Sequence, residues 1–453
     1  MSHWSFDSVF YHIYPLGFCG APKENDFNSP AVPRLDKIYS WIPHMKSMGV
    51  NALYLGPLFE STSHGYDTAD YFNVDRRLGT NEQLKSLIGE LHRNGMRVIL
   101  DGVFNHVGRN FKPFNDLQHN GESSPYKSWF YGLDFSHKSP MGDPFRYEAW
   151  SGHYNLVKLN LNNHDTREHL FDAVRMWIDY FEIDGLRLDA ADCIDIKFLK
   201  DLALVTKHKR SDFWLLGEII HGDYRGWVNK ETLDSVTNYE CYKGLYSSLN
   251  DRNYFEIAYS LNRQFGNSGM YSNMPLYSFA DNHDVNRIAS VIKNPPHIYP
   301  LYCLLFTMPG VPSLYYGSEW AVRGEKRNGS DDALRPSLNI AEFTNGRSPE
   351  LTKAISRLSQ IRHSSKALKN GDYTQLHVSM DKFAFMRRAE KETVIAVFNS
   401  SDEPQALELN IPSLKDVTFK DVLNGNEVFQ MKSNKLAIDI LYPAWARIFA
   451  AHT

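Results

Sequence analysis

Four short segments place ionisable residues directly after an apolar run: Asp101-Gly-Val-Phe-Asn-His106, Gly185-Leu-Arg-Leu-Asp-Ala190, Leu216-Gly-Glu-Ile219 and Phe279-Ala-Asp-Asn-His-Asp284. Carboxylates, imidazoles and guanidiniums are the groups that move protons and bind polar substrates. A purely structural design would end each run more cheaply on a turn residue. A lone Asp in such a place is more often a helix N-cap or a solvated loop residue. Four such ends in one chain are a different matter.

The elements that must position them follow from periodicity. Strand candidates fall near 9–15, 51–55, 97–103, 183–188, 213–217, 234–238, 276–280 and 312–316, most of them followed by a stretch of helical period. Thr80-Asn-Glu-Gln83 reads as a capping box ahead of Leu84, Leu87, Ile88 and Leu91, with Gly95 closing the helix. A second helix is expected to begin at Asp165, with Glu168 three residues on. Eight βα units predict a closed (β/α)8 TIM barrel, whose active site would lie at the C-terminal strand ends. The stretch 105–164, rich in Asn, Gly, Pro, His and aromatics, is too long for a βα loop and reads as an inserted subdomain after the third strand. Helical period ends near 370, and short strands with turn signals such as Asn424-Gly425 follow. The expected domains are therefore a barrel (1–104 and 165–370), an insert (105–164) and a C-terminal antiparallel β-sandwich (371–453).

The composition excludes several classes. With 453 residues, 42% hydrophobic and 23% charged, the chain is globular, and its formal net charge of −4 supports neither a nucleic-acid nor a membrane partner. There is no apolar run of about 18 residues and no signal-peptide pattern at the start, so a soluble cytoplasmic protein is expected. The four cysteines (Cys19, Cys193, Cys241 and Cys303) are scattered, which fits a reducing compartment and neither a disulfide framework nor a zinc site. Aromatics at 13% suit either stacking on sugars or other rings, or simply a large core.

The four segments, in this order, resemble the conserved regions of the α-amylase superfamily of glycoside hydrolases over about residues 4–370. His64-Gly-Tyr-Asp67 and Pro309-Gly-Val-Pro-Ser-Leu-Tyr-Tyr-Gly317 agree with it. Within that family Leu156-Val-Lys-Leu-Asn160 and Gly217-Glu-Ile-Ile-His221 are similar to markers of the neopullulanase, cyclomaltodextrinase and maltogenic amylase group. The barrel pattern starts almost at residue 1, without the N-terminal β domain usual in that group, and Leu156 and Val157 stand where its marker has Met and Pro.

The resemblance implies a retaining mechanism, which needs two carboxyl groups about 5–5.5 Å apart. Asp189 would be the nucleophile, Glu218 the acid and then base, and Asp284 the third carboxylate, which distorts the sugar. Arg187, on the same strand face as Asp189, is expected to hold that carboxylate ionised while Glu218 stays protonated. His106 and His283 would bind hydroxyls and Tyr66 would stack on the sugar beside His64. Asp101 would orient Arg187, and Arg287 would bind or lock Asp284. Arg335 is a weaker candidate for sugar contact.

Many relatives hold calcium with the Asn at position 105 and a His four residues after the nucleophile. Cys193 replaces that His and Asp192 the Lys before it, so no such calcium site and no cofactor is expected.

The function implied is hydrolysis of α-1,4 and also α-1,6 bonds in short, cyclic or branched maltooligosaccharides. An exo-acting α-glucosidase or a glucanotransferase is the alternative within the family. A non-catalytic sugar-binding scaffold is disfavoured because Asp189, Glu218 and Asp284 are all present. The partner implied is the α-glucan itself, and the sequence does not decide self-association.

Overall fold

The computed structural model describes residues 3–343 and 349–452. Eight short strands form the barrel: β1 (Phe10–Ile13), β2 (Ala52–Leu55), β3 (Arg97–Gly102), β4 (Gly185–Leu188), β5 (Trp214–Gly217), β6 (Ser235–Val236), β7 (Tyr277–Phe279) and β8 (Val311–Tyr315). All are parallel, in the order β7-β8-β1-β2-β3-β4-β5-β6. A parallel bridge from Thr237 to Tyr277 closes the ring, with the Asn238 N–H donating to the Tyr277 carbonyl at 2.8 Å. The strands read as near-continuous apolar runs because both their faces are covered. Phe10, Ala52, Tyr54, Ile99, Trp214, Leu216, Tyr277, Phe279 and Val311 fill the interior, while the intervening positions pack outward under helices.

Local chemistry sets the helix ends. Thr80 and Gln83 form the capping box of Asn81–Arg93, and Gly95 follows at φ 77°. The next long helix, His164–Phe181, is capped by Asn163, whose side chain accepts the Thr166 N–H. Asp165, expected to start it, is its second residue, in the first turn, where its charge meets the positive end of the helix dipole. At the opposite end of the barrel from the catalytic segments, Asp184 is buried ahead of β4. It accepts from Arg97 (2.7 Å), Arg210 (2.9 Å), His92 (2.8 Å) and the Val98 N–H (2.8 Å), tying β3, β4 and two helices together.

Between β3 and His164–Phe181 the chain builds a three-stranded antiparallel sheet (His106–Gly108, His153–Lys158, Ala149–Trp150) and a helix (Lys112–Asn120). Gly108 permits its close approach to the barrel loops: a Cβ there would lie 2.3 Å from the Asp67 carbonyl oxygen. The C-terminal strands form a sandwich. A six-stranded antiparallel sheet (Asp372–Val378, Lys382–Ala389, Glu392–Asn399, Trp445–His452, Thr418–Asp421, Val428–Gln430) faces the pair Gln405–Asn410 and Lys435–Leu441. Met386, Ile395, Leu409, Ile438 and Phe449 lie between the layers, and Phe383, Phe385 and Phe398 on the other face join the barrel core.

Candidate active site

The register of the barrel brings the ionisable strand ends together. Asp101 pairs with Arg187 across β3 and β4, and Leu188 pairs with Gly217 across β4 and β5. Asp189 and Glu218 are the next residues on adjacent parallel strands, so their backbones lie about 4.8 Å apart. The Glu218 N–H continues the ladder onto the Leu188 carbonyl at 2.9 Å.

Arg187 is the hub. Its Nη1 donates to Asp101 Oδ1 and to Asp189 Oδ1, both at 3.0 Å, and its Nη2 lies 2.7 Å from Glu218 Oε2. One buried guanidinium thus bridges the two carboxyl groups. Asp101 also accepts from Tyr54 Oη (2.7 Å) and Tyr66 Oη (3.1 Å), which fixes it beneath Arg187.

From sequence, Arg187 is expected to hold Asp189 ionised while being oriented by Asp101. In fact its charge is divided among three carboxylates, and burial, opposed by Arg187 but reinforced by Glu218, raises the Asp189 carboxyl well above its ordinary range. The neighbouring Glu218 is thus one cause of the rise at Asp189, and Arg187 serves both carboxyl groups at once. Hydrogen bonding decides which oxygens remain available. Asp189 Oδ1 is taken by Arg187, leaving Oδ2 free, 3.9 Å from His106 Nε2. Glu218 Oε2 is taken by Arg187 and by the Ala190 N–H at 3.3 Å, leaving Oε1. Ala190 reaches this position with φ 44°, a left-handed conformation that costs energy for a residue with a Cβ.

Asp284 closes the group from β7. Burial would raise its carboxyl, but His283, with Nε2 at 3.0 Å, and Arg335, with Nη2 at 3.0 Å, outweigh that and hold it far below the usual range. With its own proton given to Asp101, the Tyr66 hydroxyl accepts from His283 Nε2, and the two rings stack at 5.5 Å. His283 Nδ1 and His106 Nε2 are buried without a partner among the described residues. Burial pushes the His106 imidazole down to about 4, so it is neutral near pH 7. His64, at the rim, accepts the Tyr66 N–H at Nδ1 (3.3 Å).

Arg287 departs from expectation. It is fully buried, donates to the Tyr316 carbonyl at 2.5 Å and lies over the Tyr315 ring, away from Asp284. A spacing of three aligns side chains only within a helix, and here the helix starts at Ile288. Arg335 does the job assigned to Arg287. Besides Asp284 it binds the His283 carbonyl and Asp331, each at 3.0 Å, and rests 4.5 Å over Tyr14. Sequence reasoning passed over Tyr14 and Tyr239. The Tyr14 hydroxyl donates to the His64 carbonyl at 2.6 Å, and Tyr239 Oη is 3.3 Å from Glu218 Oε1. Both follow the end of a barrel strand, the one signal that could have found them.

The chain belongs to the α-amylase family: the description "Alpha amylase, catalytic domain" matches residues 12–363, and "Maltogenic Amylase, C-terminal domain" matches 373–439. Among curated relatives, neopullulanase 2 of Thermoactinomyces vulgaris is 31% identical, covering 94% of this chain and 74% of its own length. A cyclomaltodextrinase of a Bacillus species is 30% identical over 88% of this chain and 73% of its own. Among solved structures, the cyclic α-maltosyl-(1→6)-maltose hydrolase of Arthrobacter globiformis superposes with a TM-score of 0.82 at 25% identity, covering 100% of this chain and 99% of that one.

The donors at the expected calcium position do not fit a hard cation. The Asn105 amide turns to His106 Nδ1 at 3.1 Å, and Cys193 offers only an exposed thiol. Among the described residues, no group of three or more His, Cys, Asp or Glu side chains is placed to hold a metal ion.

Proposed function

We propose that the chain hydrolyses α-1,4 and also α-1,6 glucosidic bonds in short, cyclic or branched maltooligosaccharides, with retention, through Asp189, Glu218 and Asp284. The observation that carries this is the bridge from Arg187 to Asp189 and Glu218, which holds two carboxyl groups side by side at the ends of adjacent strands, the pairing that a covalent mechanism needs.

In the first step Asp189 Oδ2 attacks the anomeric carbon while the proton on Glu218 passes to the departing glycosidic oxygen. In the second, Glu218 takes a proton from water, which attacks the same carbon and releases Asp189. Asp284, kept ionised by His283 and Arg335, accepts from sugar hydroxyls and stabilises the positive charge that develops on the ring. The open nitrogens of His106 and His283 are hydrogen-bonding positions for the same sugar. No step uses calcium at Asn105 and Cys193. The named activities of the neopullulanase and cyclomaltodextrinase relatives support the substrate class.

A cytoplasmic location is supported by the four free cysteines and by the 28% identity to an intracellular maltogenic amylase of Bacillus subtilis.

Incubation with maltotriose, pullulan and cyclodextrins, followed by chromatography, tests the reading. Maltose from cyclodextrins or panose from pullulan is expected, whereas glucose release from maltotriose with no attack on cyclodextrins would indicate an exo-acting enzyme, and products longer than the substrate a transferase. Glu218→Gln should lose at least about a hundredfold in kcat with its circular dichroism unchanged. An unimpaired variant would remove Glu218 from the mechanism.

A further inference from the structure

Hydrogen-bond directions around Glu218 can be worked out in sequence. The Asp284 N–H donates to Asn282 Oδ1 at 2.8 Å, which fixes the orientation of the Asn282 amide. The amide nitrogen therefore faces Tyr239 and donates to its hydroxyl oxygen at 3.1 Å. With that oxygen accepting, the Tyr239 hydroxyl hydrogen is free to point at its other neighbour, Glu218 Oε1, at 3.3 Å. Oε2 already accepts from Arg187 and the Ala190 N–H, so a proton on Glu218 must sit on Oε1. The Tyr239 ring is held edge-on against Phe279 (5.0 Å, 80°) and Tyr242 (6.1 Å, 83°), which fixes its hydroxyl in place.

We propose that Tyr239 is a positioning residue for proton transfer: its hydroxyl, set by Asn282, aims the proton-bearing Oε1 of Glu218 and steadies the carboxylate left behind. The inference rests on the assignment of Glu218 as acid and base. As the bond between the anomeric carbon and the glycosidic oxygen breaks, the Oε1 proton moves to that oxygen and Asp189 Oδ2 forms the new bond to carbon. Oε1 then carries the new negative charge, and the Tyr239 hydrogen bond strengthens with it. When water attacks in the second step its proton returns to Oε1, and the same hydroxyl keeps that oxygen turned to the sugar. The charges facing Glu218 are Arg187 and Asp189 from β4 and Asp284 from beyond β7. Tyr239 is the neutral donor among them.

The test is Tyr239→Phe, which keeps the ring and removes the hydroxyl, assayed on aryl α-maltosides with leaving groups from phenol to 2,4-dinitrophenol. A phenol must be protonated to leave and a dinitrophenol need not be. The variant should lose about tenfold in kcat/KM on the phenyl substrate, a fraction of what general acid catalysis supplies, and less than about twofold on the dinitrophenyl one. Losing a donor to the charged carboxylate should also move the basic limb of the kcat/KM profile upward, by about half a pH unit. An equal loss on every leaving group with an unmoved profile would make Tyr239 a packing residue and overturn the proposal. Glu218→Gln on the same series separates the two claims, because a flat response there would remove the acid assignment itself, whatever Tyr239 does.

Discussion

Arg335→Ala tests how the third carboxylate is held. Arg335 binds Asp284, Asp331 and the His283 carbonyl at once, each at 3.0 Å, and only 13% of its side chain is exposed. A hydrogen bond to a charged group is worth about 1.5–3 kcal/mol, and the lower end applies because the Asp284 side chain is 34% exposed. Losing the contact also leaves Asp284 and Asp331 as neighbouring like charges. A loss of about 1.5 kcal/mol in transition-state binding corresponds to roughly tenfold in kcat/KM. Asp284 would keep His283 and the more distant Arg187, so its carboxyl should rise while staying below that of Asp189, which sets the acid limb. The assay is kcat/KM against pH on a cyclodextrin, with a thermal melt alongside. Arg335→Lys, which keeps the charge but not the fork, should fall between. Activity within twofold of wild type, in a variant that melts normally, would refute the reasoning.

Two further outcomes are expected. Burial raises the Asp184 carboxyl, but His92, Arg97 and the Val98 N–H outweigh it and hold it at about 2. Its contribution to stability is thus complete above the unfolded value, roughly 3.9, and lost as pH falls through about 2. Asp184→Asn should cost about 2 kcal/mol in denaturant unfolding at pH 7, with the gap to wild type narrowing toward pH 2; a gap independent of pH would contradict this. Prolonged treatment with a chelator should leave both activity and melting temperature unchanged, and a loss reversed by added calcium would show a site built from other donors than Asn105 and Cys193.

The barrel was legible because each strand is covered on both faces and so must be apolar almost throughout, as at Val98–Leu100 and Trp214–Leu216. The Thr80 capping box was legible because it is local. The choice of Asn163 over Asp165 was not, since both can cap and only the path of the incoming chain decides. The grouping of Asp101, Arg187, Asp189 and Glu218 followed from strand ends in register. The partner of Asp284 did not. Arg287 is close in sequence but is carried away by an extended turn, while Arg335 arrives from fifty-one residues further on. The contact of Arg187 with Glu218 was not legible for a related reason: periodicity shows which residues share a strand face, not how many anions one cation must serve. Tyr14 and Tyr239 look like core residues until their hydroxyls are given partners, which only tertiary approach supplies.

Around Arg187 three acidic groups crowd against one guanidinium, and a fourth stands nearby in the grip of Arg335. At rest this surplus of acidic groups faces a single cation at the hub. A sugar passing through its oxocarbenium-like state brings the missing plus sign for an instant. The mouth of the barrel is thus shaped less for the glucan that enters than for a cation too short-lived ever to be found there.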